Sequence, residues 1–280
     1  MLETVIRGAL AVLPDGVVAA DVGIGSGTIQ AIRAPGALDA SRVVTADGMV
    51  LMPGGIDPHV HLNTRFGAWL TTDDFWTGTV PAAIGGTTTI INFAIPLPGE
   101  TAEAAFQRCS DEAHPNAAID YALHACVTRE TFRTSLDQLA SLRAAGVHSV
   151  KVFTAYRSTI GLSLEEIKEV LHRAAELDML VLVHPEDNEL IDAAIAEQVL
   201  AGRLGPRGHA QSRPAQAEES AIRKIAEMAA EAGARVFFVH VSSAQGADAV
   251  RNARQQGWAV SAETCCLLYT SDAADDLTRV

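Results

Sequence analysis

The sequence predicts an α/β protein built as a (β/α)₈ barrel of the TIM type, with seven strands present and the eighth missing, behind a small N-terminal β-domain. Three observations carry this expectation. From Met49 onward, apolar strand, loop and amphipathic helix repeat, an alternation that implies a parallel sheet. Seven such units can be placed, which points to a barrel rather than an open doubly wound sheet, although pattern alone leaves the open sheet as the alternative. The 280 residues also suffice for a barrel of about 250 residues plus an appendage.

Residues 1–49 read as a small β-sandwich-like domain, incomplete as it stands. Short apolar runs at 4–6, 10–13, 17–22, 28–32 and 42–45 are separated by Pro14-Asp15-Gly16, Gly25-Ser26-Gly27 and Pro35-Gly36, the pattern of strands joined by tight turns. The glycines at 23, 25 and 27 belong to a hairpin turn rather than a nucleotide loop, because residues 28–32 continue as a strand and offer no helix N-terminus to a phosphate. Residues 50–264 form the barrel, also incomplete. Its strands are expected near 50–56, 87–94, 119–127, 149–155, 180–183, 235–241 and 258–262, and Val50 and Leu51 read as buried. Helices are expected at 75–84, 102–113, 136–145, 164–177, 215–232 and 244–256. The fourth of these is the most fully specified: Ser163 and Glu166 form a capping box, and Leu164, Ile167, Val170, Leu171 and Ala174 recur on one side.

Composition narrows the function classes. The formal net charge is −13 and no lysine or arginine cluster lines a face or tail, which disfavours a nucleic-acid partner. No stretch approaches the ~18 uninterrupted apolar residues of a membrane span, and the opening residues Met1 to Arg7 lack the basic leader and apolar run of a signal peptide. The four cysteines, Cys109, Cys126, Cys265 and Cys266, show no Cys-x-x-Cys spacing, and an adjacent pair is poorly placed to bridge to itself. Reduced thiols in a cytoplasmic protein are the expectation.

The chemistry gathers at strand ends. His59 and His61 are separated by one valine, and residues i and i+2 of an extended strand point to the same face, so both reach one metal ion. In barrels of this type, function collects at the C-terminal ends of the strands. The fourth expected strand embeds Lys151 in an apolar run and ends near Tyr156; the fifth ends in His184 and the sixth in His240. An unpaired buried ammonium is costly, so a lysine in such a place shifts its pKa or acquires a partner. His114, His148, His172 and His209 read as solvated, and His124 as a satisfied core histidine.

These motifs, Gly54-Gly-Ile-Asp-Pro-His-Val-His-Leu62, Asp73-Asp74-Phe75, Gly85-Gly86-Thr87-Thr88, Lys151-Val-Phe-Thr-Ala-Tyr156, Val183-His-Pro-Glu186 and His240-Val-Ser-Ser243, together resemble the hydantoinase and dihydropyrimidinase branch of the amidohydrolase superfamily. The resemblance runs in order as far as about Thr264. It implies two divalent metal ions, zinc by preference, with His59 and His61 on one and His184 and His240 on the other, and with Lys151, carboxylated by carbon dioxide, bridging them as a carbamate. Two close metals lower the pKa of a bridging water and polarise the scissile carbonyl, and Tyr156 donates its hydroxyl to the developing oxyanion. The implied substrates are small cyclic amides, hydantoins and dihydropyrimidines, opened to N-carbamoyl amino acids; the implied assembly of the full-length form is a homo-oligomer. Asn63 stands where a dihydroorotase places arginine. Allantoinase, or a non-catalytic scaffold of the same fold, is the alternative.

The chain departs from that pattern at its end. The resemblance implies a further metal ligand and proton shuttle, an aspartate closing an eighth strand, and no eighth strand is evident. Residues 265–280 are expected to be a non-native tail, similar to translated linker, in which Asp272, Asp275 and Asp276 are solvated. Sixteen residues follow Thr264, whereas a parallel neighbour needs a crossover of about a dozen or more before its strand begins. The 280-residue chain alone is therefore expected to be nearly inactive and poorly soluble. Expression beside a version extended with native downstream sequence, with soluble yield and ring opening of hydantoin compared, checks this; equal turnover would overturn it.

Overall fold

The computed structural model describes residues 1–265, so Cys266 and the tail aspartates Asp272, Asp275 and Asp276 lie outside the described residues. Two compact units are present: Met1–Ile56 with Gly86–Thr88, and Asp57–Gly85 with the described chain from Thr89.

The first unit is one mixed sheet. Its strands are β1 (Thr4–Leu13), β2 (Gly16–Gly25), β3 (Thr28–Arg33), β4 (Arg42–Thr45) and β5 (Val50–Leu51), in the order β3-β2-β1-β4 with β5 also on β1. The turn at Ser26-Gly27, both at positive φ, joins β2 to β3 as a hairpin. β1 is a single strand with an irregularity between Ile6 and Ala9, where Gly8 sits at φ 76°. A side chain is strained at that φ, and a Cβ there would also lie 1.9 Å from Oδ1 of Asp47, so glycine suits the position. The fully buried Asp21 carboxylate accepts from the backbone N–H groups of Gly8 and Gly36 at 3.1 and 2.8 Å. Val50 and Leu51 correct the sequence expectation: they pair with Leu10 and Ala11 of β1, and Val50 is exposed. Pro53, which has no N–H to give a ladder, interrupts the run, and the first strand of the large sheet begins only at Gly55.

That strand is β6 (Gly55–Val60). A small hairpin follows, β7 (Arg65–Phe66) and β8 (Trp69–Leu70), and then α1 (Phe75–Ile84), β9 (Thr87–Ala94), α2 (Ala102–Asn116), β10 (Asp120–Cys126), α3 (Phe132–Asp137), α4 (Leu139–Ala144) and β11 (Ser149–Phe153). The remainder is α5 (Leu164–Glu176), β12 (Leu180–His184), α6 (Asn188–Leu200), α7 (Pro206–Gln211), α8 (Ala215–Ala232), β13 (Arg235–Phe238), α9 (Ala244–Gln255) and β14 (Val260–Ala262). The seven long-range strands order as β14-β13-β12-β11-β10-β9-β6, parallel from β9 to β14, which is the strand sequence of a barrel sheet taken in chain order. Among the described residues no helix is long and apolar enough to cross a membrane.

Side-chain alternation sorts this sheet into two faces. Ala125 and Val127, Val150 and Val152, and Val181 and Val183 join the helices in one apolar layer that includes Leu171, Ile222, Ile225 and Phe238. The alternate residues Cys126 and Leu182, with Phe153 next after Val152, turn the other way and pack with Phe93 and Val239. Lys151, between Val150 and Val152, shares that inner face.

The helix over 164–177 forms as expected. The Ser163 hydroxyl accepts from Glu166 N at 3.2 Å while the Glu166 carboxylate accepts from Ser163 N at 2.8 Å, and Ile167, Val170, Leu171 and Ala174 are buried. The helix expected at 136–145 is instead two short ones, starting at Phe132 and broken at Gln138. Hydrogen bonds from α2 draw the break inward: Ala102 N donates to the buried Ser135 hydroxyl at 3.0 Å and Glu103 N to Gln138 Oε1 at 3.2 Å. The hairpin, α6 and α7 were not anticipated. α6 buries only Asn188, Ile191 and Gln198, so it carries no periodic stripe to read.

In α5, Ser163→Ala should cost about 1 kcal/mol through the lost cap and Leu171→Ala about 2–5 kcal/mol through a cavity. His172→Ala, on the exposed side of the same helix, should stay within about 0.5 kcal/mol. Urea unfolding of the extended form checks the ranking.

Candidate metal centre

The period-2 rule holds at the strand carrying the first two histidines. His59 and His61 face the same way with ring centroids 5.2 Å apart in an edge arrangement. Phe93, on the inner face of β9, is the plate beneath them: its ring lies 4.7 Å from His59, 4.9 Å from His61 in a stacked arrangement and 4.7 Å from His124. Lys151 enters from β11 with Nζ 5.1 Å above the Phe93 ring and 5.2 Å from that of Phe153. His184 closes β12, and His240 follows β13 at φ 43°, an unusual conformation for a residue with a side chain. Their rings are 4.6 Å apart, with His184 Nδ1 facing His240 Nε2 at 2.9 Å. His59 and His240 lie 5.7 Å apart. The structure thus brings His59, His61, Lys151, His184 and His240 together from four strands.

Burial sets the protonation states. It lowers the pKa of His61 to about 3, with the neighbouring His59 and Lys151 charges adding to it, and that of His240 to about 2, with His184 and Lys151 adding. His184 is also lowered, first by burial and against the pull of Glu186. Neutral imidazole is the form that ligates metals. Lys151, 1% exposed, falls to about 7, chiefly through burial, so a substantial share of its amine is neutral near physiological pH. His61 Nδ1 is buried with no hydrogen-bond partner. An orphaned imidazole nitrogen, two imidazole nitrogens converging on one point and a neutral amine form a donor set that fits a divalent ion.

Tyr156 sits just beyond β11 at φ 62°, 39% exposed, with its ring 5.3 Å from that of His184. Its carbonyl accepts the N–H groups of Thr159, Ile160 and Gly161 at 2.9–3.1 Å, a tight loop that holds the phenol over the site. His124 is satisfied, its ring nitrogens meeting Ser149 Oγ at 2.5 Å and the Pro58 carbonyl at 2.9 Å. His114, His148, His172 and His209 are exposed.

Several supporting residues escaped the sequence reading. Glu186 Oε2 accepts from His184 Nε2 at 2.8 Å, and Arg213 Nε lies 3.5 Å from its other oxygen. Glu263, beyond β14, accepts from His59 Nδ1. Asn92 accepts from Leu62 N at 2.9 Å and fixes the chain after His61. Glu218 accepts from the N–H groups of Ser242 and Ser243, both at 2.9 Å, which anchors the His240-Val-Ser-Ser243 turn. Only Glu186 had a readable signal, its i+2 spacing from His184.

Parallel strands in chain order that carry histidines and a buried lysine toward one end are the frame of an α/β-barrel protein. The chain belongs to the amidohydrolase family, whose model matches residues 50–204. It is similar to the D-hydantoinase of Streptomyces coelicolor, 35% identical over 94% of this chain and 57% of the relative, and to that of Geobacillus stearothermophilus, 35% identical over 88% and 52%. Among solved structures, the dihydropyrimidinase of Brevibacillus agri superposes with a TM-score of 0.90 at 36% identity, covering 95% of this chain and 58% of that one. The chain thus spans just over half the length of these relatives. Family membership implies dependence on a divalent metal.

The segment after His184 is held by Asp187, whose carboxylate accepts from Lys224 Nζ at 2.6 Å and Ser220 Oγ at 2.7 Å. Burial raises the Asp187 pKa, but these partners outweigh it and hold the group below its ordinary value. A depressed carboxylate pKa stabilises the fold above the unfolded value, about 3.9, and that stabilisation is lost as pH falls through the folded one. Asp187→Asn should therefore cost about 1–3 kcal/mol at pH 7, and its difference from wild type should shrink below about pH 4. Thermal melts of both proteins across pH 3–7 check the sign.

Proposed function

We propose that this protein opens cyclic amides, hydantoins and dihydropyrimidines, to N-carbamoyl amino acids, using two divalent ions held by His59, His61, Lys151, His184 and His240. The observation that carries this reading is the convergence of four histidines at the C-terminal ends of β6, β12 and β13 with Lys151 from within β11. The names of the relatives, D-hydantoinase and dihydropyrimidinase, support the same substrate class.

In this reading His59 and His61 would hold one ion and His184 and His240 the other, with Lys151, as a carbamate, a ligand to the pair; zinc suits a set dominated by imidazole. When bound, the ions would lower the pKa of a bound water molecule and polarise the scissile carbonyl. Lys151 contributes first through its neutrality. Its lone pair forms an N–C bond to carbon dioxide as one C=O π bond becomes the carbamate's C–O⁻, one proton passes from the nitrogen to bulk water, and an anion replaces what would have been a buried cation. Phe93 and Phe153 keep water from that nitrogen. Tyr156 donates its hydroxyl to the carbonyl oxygen as water adds and negative charge develops there. The ring C–N bond then breaks, and the departing nitrogen takes the proton surrendered by the water. The working form is a cytoplasmic homo-oligomer acting on small molecules, with no nucleic-acid or membrane partner.

Elemental analysis of the extended form should find two divalent ions per chain. Lys151→Ala should lose metal and turnover together, and Lys151→Arg should not restore them, since a guanidinium stays charged. Tyr156→Phe should keep the metal and lose about 10²–10³ in turnover of hydantoin or dihydrouracil. Metal-free wild-type protein after growth in zinc-supplemented medium would defeat the reading.

A further inference from the structure

We propose that Glu186 is the positioning residue of His184, fixing which ring nitrogen of that histidine is presented to the metal. The inference rests on the metal-centre reading above and concerns a residue outside its ligand set. An ionised carboxylate only accepts hydrogen bonds, so the 2.8 Å contact from Glu186 Oε2 places the proton of His184 on Nε2 and leaves Nδ1 bare. That bare nitrogen is the one facing His240 Nε2 at 2.9 Å. Carboxylate, imidazole and open donor therefore lie in series, the arrangement that orients a ligating histidine and raises its basicity.

The backbone that carries the carboxylate, and its second oxygen, are themselves held. Thr154 Oγ1 donates toward the carbonyls of His184 and Glu186, at 2.6 and 2.7 Å, and accepts from Glu186 N at 2.8 Å, pinning the backbone that carries both side chains. Arg213 approaches the second oxygen, Oε1, at 3.5 Å, while its guanidinium carbon lies 6.0 Å from the Tyr156 ring centroid. One side chain thus spans from the phenol proposed as oxyanion donor to the carboxylate behind His184. A hydrogen bond that merely filled space would not need a backbone clamp and a cation behind it.

The test measures zinc affinity by competition with a chromophoric chelator on the extended form, together with the ¹⁵N signals of histidine in metal-free protein. Glu186→Leu should weaken one of the two zinc ions by about 10–100-fold, the range for loss of such an outer partner, with a much smaller effect on the other. Glu186→Gln keeps an acceptor oxygen and should recover most of that loss; Arg213→Gln should weaken the same ion by less. In metal-free wild type, His184 should carry its proton on Nε2, and in Glu186→Leu that preference should be lost. Unchanged affinity in Glu186→Leu, or equal weakening at both ions without recovery by glutamine, overturns the inference. Should the leucine variant fail to fold, Glu186→Gln decides: a few-fold weakening at one ion is expected, and no change overturns. Wild type that takes up no zinc would overturn the metal-centre reading itself, whereas normal uptake with an indifferent Glu186 overturns this inference alone.

Discussion

Between the rings of Phe93 and Phe153 the inner face of the sheet receives a lysine amine, and among the described residues no ion pair meets it there. Two aromatic faces give an ammonium some attraction, but far less than the water it has left. The balance is met by a weakened hold on the proton, as burial lowers the amine's pKa toward neutral pH. The three histidines whose pKa values are pushed down at this site are neutral. With those three imidazoles neutral and the amine's hold on its proton weakened, the cluster is compatible with a packed interior. The same Phe93 ring that excludes water from Lys151 is the surface against which His59 and His61 rest. Hydrophobic packing and the readiness to receive cations are thus one arrangement.

The histidines stand on strand ends, where the regular ladder no longer restrains them, and the structure replaces that restraint with side-chain anchors. Asn92 holds the residue after His61, Thr154 the segment after His184, and Glu218 the turn after His240. His240 and Tyr156 both occupy the left-handed backbone region, which costs a residue bearing a Cβ of order 1 kcal/mol or more. Such conformations persist where neighbouring bonds overdetermine them. The Glu263 carbonyl accepts from Val241 N at 2.7 Å, and the Tyr156 carbonyl is met by three N–H groups.

Much of this was legible in the amino-acid order. Strand-helix alternation gave the seven parallel strands, and the strand-end positions of His59, His61, His184 and His240, with Lys151 inside an apolar run, gave the cluster. Legibility failed where periodicity was absent or a long-range bond intervened. α6 exposes apolar residues on most sides and so has no stripe, and the break at Gln138 depends on bonds from α2. Val50 and Leu51 looked like the start of the strand that follows them, but Pro53 separates the two. Glu263 and Glu218 act across 204 and 24 residues, distances at which nothing in the local sequence announces a partner.

The contact between Glu263 and His59 joins the last strand of the sheet to the first, though the other five of the seven-strand order lie along the path between them. Neighbouring strands in this sheet are consecutive βα units, and their pairing closes short loops. The His59–Glu263 contact closes the longest, and loop-closure entropy makes such a pairing late in the order of assembly. Each half of the histidine cluster is local to one end of the chain, so neither half-formed sheet offers a cation the whole set. Ion uptake would then serve as a quality check: a chain arrested part-way through folding would be unable to capture the metal that a finished one retains.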